Sequence, residues 1–247
     1  MSSLGRRRML RWALGASLLP VLGCGGEDGT AAETSAGACS TIPEETAGPY
    51  PGDGSNGPNA LTLAGIVRSD IRSSLGAASG TADGVRLTVK LTLTDSGRGC
   101  ASLGGHVVYL WHCDREGRYS LYSQGVTDQN YLRGVQEADD EGNVTFTTVF
   151  PGCYAGRMPH IHFEVYPSLA AATAAGNVIA TSQLALPTDA CDQVYATSGY
   201  EASVGNLAAI SFDSDNVFRD GVEQQLAAVT GSVSEGLVAT LTVPVKA

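Results

Sequence analysis

The chain has 247 residues, 43% of them hydrophobic and 16% charged, so it can bury a core and is not globally disordered. Its formal net charge is −10, and the first 23 residues carry four arginines and no acid, so the remainder stands at −14. Such a surface repels phosphate backbones and argues against a nucleic-acid partner; it also draws in no anionic ligand without a local cation.

The length fits one all-β domain behind an N-terminal extension. Arg6, Arg7, Arg8 and Arg11 precede an apolar stretch from Trp12 to Leu22. That stretch is shorter than the roughly 20 residues a membrane span needs, and it reads as a signal peptide. Residues 6–11 resemble the twin-arginine export signal, with Gly5 where Ser or Thr is frequent. Val21-Leu22-Gly23-Cys24 resembles a bacterial lipobox, whose Cys carries the lipid. The expected organisation is a signal peptide over 1–23, a Gly/Ala/Ser/Thr/Glu-rich tether over 24–40 and a folded domain over 41–247. The expected location is periplasmic or cell-surface, with membrane contact only through a lipid at Cys24.

With Cys24 lipidated, Cys39, Cys100, Cys113, Cys153 and Cys191 remain as disulfide formers, an odd set that leaves one over and does not fix the pairing. The absence of a close Cys-x-x-Cys pair argues against a cysteine metal site.

Period-two alternation marks strands at Leu87, Val89, Leu91, Leu93, at Val107, Tyr109, Trp111, at Val144, Phe146, Thr148, Phe150 and at Ile161, Phe163, Val165. Further strands are expected near 178–186, 208–212 and 237–245. Turn-rich pieces such as Asp53-Gly54-Ser55-Asn56-Gly57 and Glu141-Gly142-Asn143 separate such segments. The fold class is all-β: an antiparallel sandwich with long loops and short helices, the helix candidates being Pro167 to Ala175, 69–76 and 220–229.

The densest cluster of potential ligands is FPGCYAGRMPHIHFEV, residues 150–165. On a strand His160 and His162 point to one face while Ile161 and Phe163 point to the core. His-x-His alone suits a metal pair or a structural pair equally well. Tyr154 lies six residues before His160, and Tyr119 follows another strand. Phenolate oxygen with imidazole nitrogen suits a hard, high-valent iron, whereas His-x-His by itself would also admit zinc.

Gly117-Arg118-Tyr119, Pro151-Gly152-x-Tyr154 and Arg157-x-x-His160-Ile161-His162-Phe163 stand in the order and approximate spacing of the intradiol ring-cleavage dioxygenases, the protocatechuate and catechol 1,2-dioxygenase family. Thr46-Ala47-Gly48-Pro49-Tyr50, Leu132-Arg133-Gly134-Val135-Gln136 and Gln183-Leu184 add to the resemblance, which runs from about residue 43 to the end of the chain. It implies a non-haem Fe(III) held by Tyr119, Tyr154, His160 and His162, a small aromatic diol and O2 as substrates, a cis,cis-muconate-type product and no organic cofactor. By the same resemblance Tyr154 takes up a substrate proton, Arg157 stabilises charge on the ring and Gln183 orients the pocket. Arg157-Met158-Pro159-His160 departs from the Arg-Pro-x-His of many relatives, and Cys153 and Gly156 replace bulkier residues. Tyr50 is placed to pack near the pocket, while His106 and His112 match no ligand and read as structural or surface.

The alternative is a non-catalytic exported sandwich binding an aromatic, a polyphenol or a carbohydrate. No Gly-x-Ser-x-Gly turn supports a hydrolase.

Overall fold

A computed structural model describes residues 39–172 and 177–247. The expected signal peptide, Cys24 and nearly all of the tether lie outside the described residues. Among the described residues no helix is long and apolar enough to cross a membrane.

In chain order the strands are β1 (Arg86–Asp95), β2 (Ala101–Ser102), β3 (Val107–Trp111), β4 (Arg133–Glu137), β5 (Asn143–Val149), β6 (His160–Tyr166), β7 (Ala180–Ala185), β8 (Ala228–Ser232) and β9 (Gly236–Val245). They form two sheets. In the first, β1 pairs with β2 and β5 antiparallel and with β9 parallel, and β8 continues beyond β9. The second is antiparallel throughout, in the order β4-β3-β6-β7.

The alternation read from the sequence explains how the sheets meet. Leu87, Val89, Leu91 and Leu93 of β1 and Val144 and Phe146 of β5 face Val108 and Leu110 of β3 and Ile161, Phe163 and Val165 of β6 in one buried cluster. Each such side chain contributes about 1.5–3 kcal/mol through burial. The other face of the second sheet is covered as well. Val107, Tyr109 and Trp111 of β3, Val135 of β4 and Tyr166 of β6 pack there against Ala60, Leu61 and Ile66 from the long N-terminal loop. β6 is therefore buried along its whole length, and its polar residues need internal partners.

The helices differ from the expectation. Pro167 to Ala175 yields only α1 (Leu169–Ala172) within the described residues, whereas 69–76 is extended, with Ile71 buried and Asp70 bridged to Thr147. Residues 220–229 end a 3-10 turn and enter β8, because Gln225 is drawn into the core and Ala185 bridges Leu226. Residues 208–212 form no strand. They close α3 (Glu201–Ala208), which follows α2 (Thr188–Tyr195).

Cys39 and Cys100 form a disulfide, pinning the start of the described chain to the turn after β1. Cys113, Cys153 and Cys191 are free and buried, so three thiols remain where the odd count led to one. Their sulfurs face the carbonyls of Gly152, Arg157 and Leu186.

Candidate functional site

His160 and His162 open β6 on the face away from the sandwich core, as the i, i+2 spacing requires. Their Nε2 atoms lie 3.0 Å apart. His160 Nδ1 sits 2.7 Å from the Met158 carbonyl, which can only accept, so that nitrogen carries the proton and Nε2 presents a lone pair. Tyr119 brings its hydroxyl to 3.3 Å from the same Nε2.

Local backbone chemistry delivers the two tyrosines. After β3 the chain doubles back, since the Asp114 carboxylate accepts from the Glu116 and Arg118 amides and Gly117 takes a φ of 81° that disfavours a side chain. The Pro151-Gly152-Cys153 segment then lies against this turn, with the Gly152 amide donating to the Asp114 carbonyl at 3.0 Å. A Cβ at Gly152 would meet the Arg115 carbonyl oxygen at 2.5 Å, so only glycine permits the approach. The Tyr119 and Tyr154 rings end with centroids 5.7 Å apart. Tyr50 stands over both, its hydroxyl 3.4 Å from that of Tyr154.

The electrostatics keep every donor neutral. Burial, then the positive charge of Arg157, depresses His160 to about 3, and burial with neighbouring His160 holds His162 well below the ordinary histidine value. Burial raises the Tyr119 phenol well above its usual range; for half-buried Tyr154 the hydrogen bond to Tyr50 is the main cause of a rise. Among the described residues no group of three or more His, Cys, Asp or Glu gathers in one place. A metal here would draw on two neutral imidazoles and tyrosine oxygens, and converging nitrogen lone pairs beside a phenol fit that role.

Arg157 and Gln183 belong to the same place. The Arg157 Nε donates to Asp215 at 3.0 Å and its Nη2 to Gln183 Oε1 at 2.7 Å, while Gln183 Nε2 donates to the Thr46 carbonyl at 2.9 Å. Gln183, opposite His162 in the sheet register, therefore spends its amide on holding Arg157 and the N-terminal loop. His112 is structural, fully buried between the Thr148 hydroxyl and the Cys113 carbonyl. The exposure of His106 is intermediate, and it lies before β3.

A protein-family model described as dioxygenase matches residues 57–173. An intradiol ring-cleavage dioxygenase from Tetranychus urticae superposes with a TM-score of 0.66 at 27% identity, covering 84% of this chain and 95% of that one. The dioxygenase domain of a dioxygenase and carbohydrate-binding fusion from Streptomyces sp. SirexAA-E gives 0.52 at 22% identity, over 83% of this chain and 97% of that one. Hydroxyquinol 1,2-dioxygenase from Pseudomonas putida DLL-E4 gives 0.50 at 17% identity, over 83% and 66%; these last two matches concern the fold alone. The chain resembles the intradiol ring-cleavage dioxygenases in sequence and in fold.

The family-model match spans Tyr119, Tyr154, Arg157, His160 and His162 but stops short of Gln183. It also stops short of residues that motif reading missed. Asp215 is fully buried, yet nothing local marks it 58 residues from Arg157. Ser203 and Asn206 on α3 bind the Cys153 amide at 2.9 Å and its carbonyl at 2.8 Å, fixing the backbone beside Tyr154. For α2 a signal was present: Pro187 before Thr188, Asp189 in the first turn, and buried Ala190, Cys191, Val194 and Tyr195 at helical spacing.

Proposed function

We propose that the protein is a non-haem Fe(III) intradiol dioxygenase that opens the ring of a catechol-type diol with O2, between the two hydroxyl-bearing carbons, to a cis,cis-muconate-type diacid. The observation that carries this reading is the convergence of Tyr119, His160 and His162, with Tyr154 against Tyr119, in a site whose imidazoles are neutral. The name of the Tetranychus urticae intradiol ring-cleavage dioxygenase supports a diol as the class of substrate.

Tyr119, Tyr154, His160 and His162 would hold the iron. Bound Fe(III) supplies Lewis acidity toward the diol oxygens and redox access to O2. Once deprotonated to hold the iron, half-buried Tyr154, beside the Tyr50 hydroxyl, would take up a proton from a substrate hydroxyl. The Arg157 guanidinium offers positive charge to the ring as oxygen adds, and Asp215 and Gln183 fix its direction before substrate arrives. Gln183 acts through Arg157 and so serves as a positioning residue.

Purified protein should hold about one iron per chain, absorb visible light through tyrosinate-to-iron charge transfer and consume O2 with catechol to give a diacid. Tyr119→Phe or His162→Ala should lose iron. A colourless, zinc-loaded protein inert toward diols would instead leave the non-catalytic binding module standing, and extradiol products would refute the assigned cleavage.

We propose in addition that the protein lies outside the cytoplasm, exported by its arginine-rich leader and anchored by lipid at Cys24. The Cys39–Cys100 disulfide supports an oxidising compartment. Cys24→Ser should release the protein from membranes, and unchanged retention would count against the anchor.

A further inference from the structure

Histidines that bind metals are usually aimed by a hydrogen bond from the second ring nitrogen. His160 follows that pattern through the Met158 carbonyl. His162 does not: its Nδ1 is buried and has no hydrogen-bond partner among the described residues. What meets this ring is an indole. Trp111 of β3 lies directly opposite His162 in the sheet register, and the two rings stack with centroids 4.9 Å apart and planes within 6°. Trp111 is in turn stacked on Tyr109 at 5.0 Å and is fully buried, so it cannot swing aside. Gly48 also borders the imidazole, where a Cβ would stand 3.3 Å from Cε1, and its φ of 70° belongs to glycine.

We propose that Trp111 and Gly48 orient the His162 ring toward the metal by packing, taking over the task that the Met158 carbonyl performs for His160. This rests on the reading of His162 as a ligand. Directly opposed residues on antiparallel strands bring their side chains within contact, and a wide indole defines a plane where a Leu or Val would define only a volume. Trp111 is thus a positioning residue, two strand positions from the Tyr109 that the same alternation places beneath it.

The test is metal affinity in the full-length protein, read as iron retained against a competing chelator and as the rise in Tm on iron loading. Trp111→Leu should weaken iron binding about tenfold or more, in line with the loss of other supports of metal ligands. Trp111→Phe should recover much of it by restoring a flat face. A purely structural role would lower the Tm of metal-free and loaded protein alike and leave affinity unchanged. Should Trp111→Leu fail to fold, Gly48→Ala asks the same question from the Gly48 side and should also weaken retention. Wild-type affinity in Trp111→Leu or in Gly48→Ala, with His162→Ala losing the iron, overturns the proposal. Iron retained by His162→Ala would overturn the ligand reading itself, and the two failures are thereby told apart.

Discussion

His112, His160 and His162 enter the core as neutral rings, with His112 held at about 4 and His160 at about 3 by burial first of all. Each binds a proton in the unfolded chain below about 6.5 that it refuses in the folded one, so stability falls as pH drops through that value. Glu164 works in the opposite sense. Burial lifts its carboxyl to about 7, so the folded state keeps a proton that the unfolded chain sheds above about 4.5. Between these limits the three histidines outweigh the one glutamate by two protons. Metal-free protein should lose up to roughly 3 kcal/mol of stability per pH unit on acidification near pH 5.5. Denaturant melts at pH 5, 5.5 and 6 would show it, and a flat profile would mean that the histidines are not buried as neutral rings.

Arg157 and Asp215 separate metal binding from charge on the substrate. Asp215 is fully buried; desolvation pushes its carboxyl up, but the Met158 and Val217 amides and then Arg157 outweigh that and hold it low. Asp215→Asn keeps the shape and removes the charge that fixes Arg157. The expected outcome is retained iron and colour, turnover slowed about 100-fold by the misplaced cation, and a stability loss of about 3 kcal/mol. Loss of iron in this variant would show that Asp215 supports the metal rather than the guanidinium.

At the scale of elements, β1, β3, β5 and β6 were legible because each alternates apolar and polar positions against one core, and period two leaves little choice of face. Residues 220–229 misled for the opposite reason. Glu223, Gln224, Gln225, Leu226 and Ala227 favour helix individually, but pairing of Ala228–Ser232 with β9 overrides that preference. The neighbourhood of Tyr119, Tyr154, His160 and His162 could be read in advance as well, since strand spacing and turn glycines lie close together in the chain. Their supports were not. Ser203, Asn206 and Asp215 reach the site from elements that only the tertiary fold brings near.

That division can be tested on α3. Ser203→Ala leaves the buried Cys153 amide unpaired and Asn206→Ala does the same for its carbonyl, so each should cost about 1–3 kcal/mol. Each should also slow turnover while the Tyr119 side of the site stays intact. The disulfide offers a comparison outside the proposed ligand set. It closes 61 residues, and Cys39→Ser should cost roughly 2–4 kcal/mol, lowering the Tm by roughly 5–15 °C. Catalytic constants at low temperature should then be unchanged; a drop in them would tie the N-terminal staple to the site.

For the whole molecule the net charge of −10 meets a site whose cations are already engaged. Arg157 and Arg133 both act on His162, but Arg157 is held by Asp215, and Arg133 is buried, donating to the carbonyls of Tyr50, Pro51 and Ser120. Acids crowd the Arg157 side: burial first, then Asp220 and Asp215, raise the Glu45 carboxyl. A carboxylated diol would approach a negative surface and find Arg157 and Arg133 already engaged, so on the proposed function a neutral diol is the better substrate. At low ionic strength kcat/KM for catechol should exceed that for a ring-carboxylated diol by roughly tenfold or more. Raising salt from about 10 mM to about 150 mM shortens the screening length from about 30 Å to about 8 Å and should narrow the gap, mainly by improving the carboxylated substrate. A preference for the carboxylated diol at low salt would mean that a free cation reaches the ring substituent.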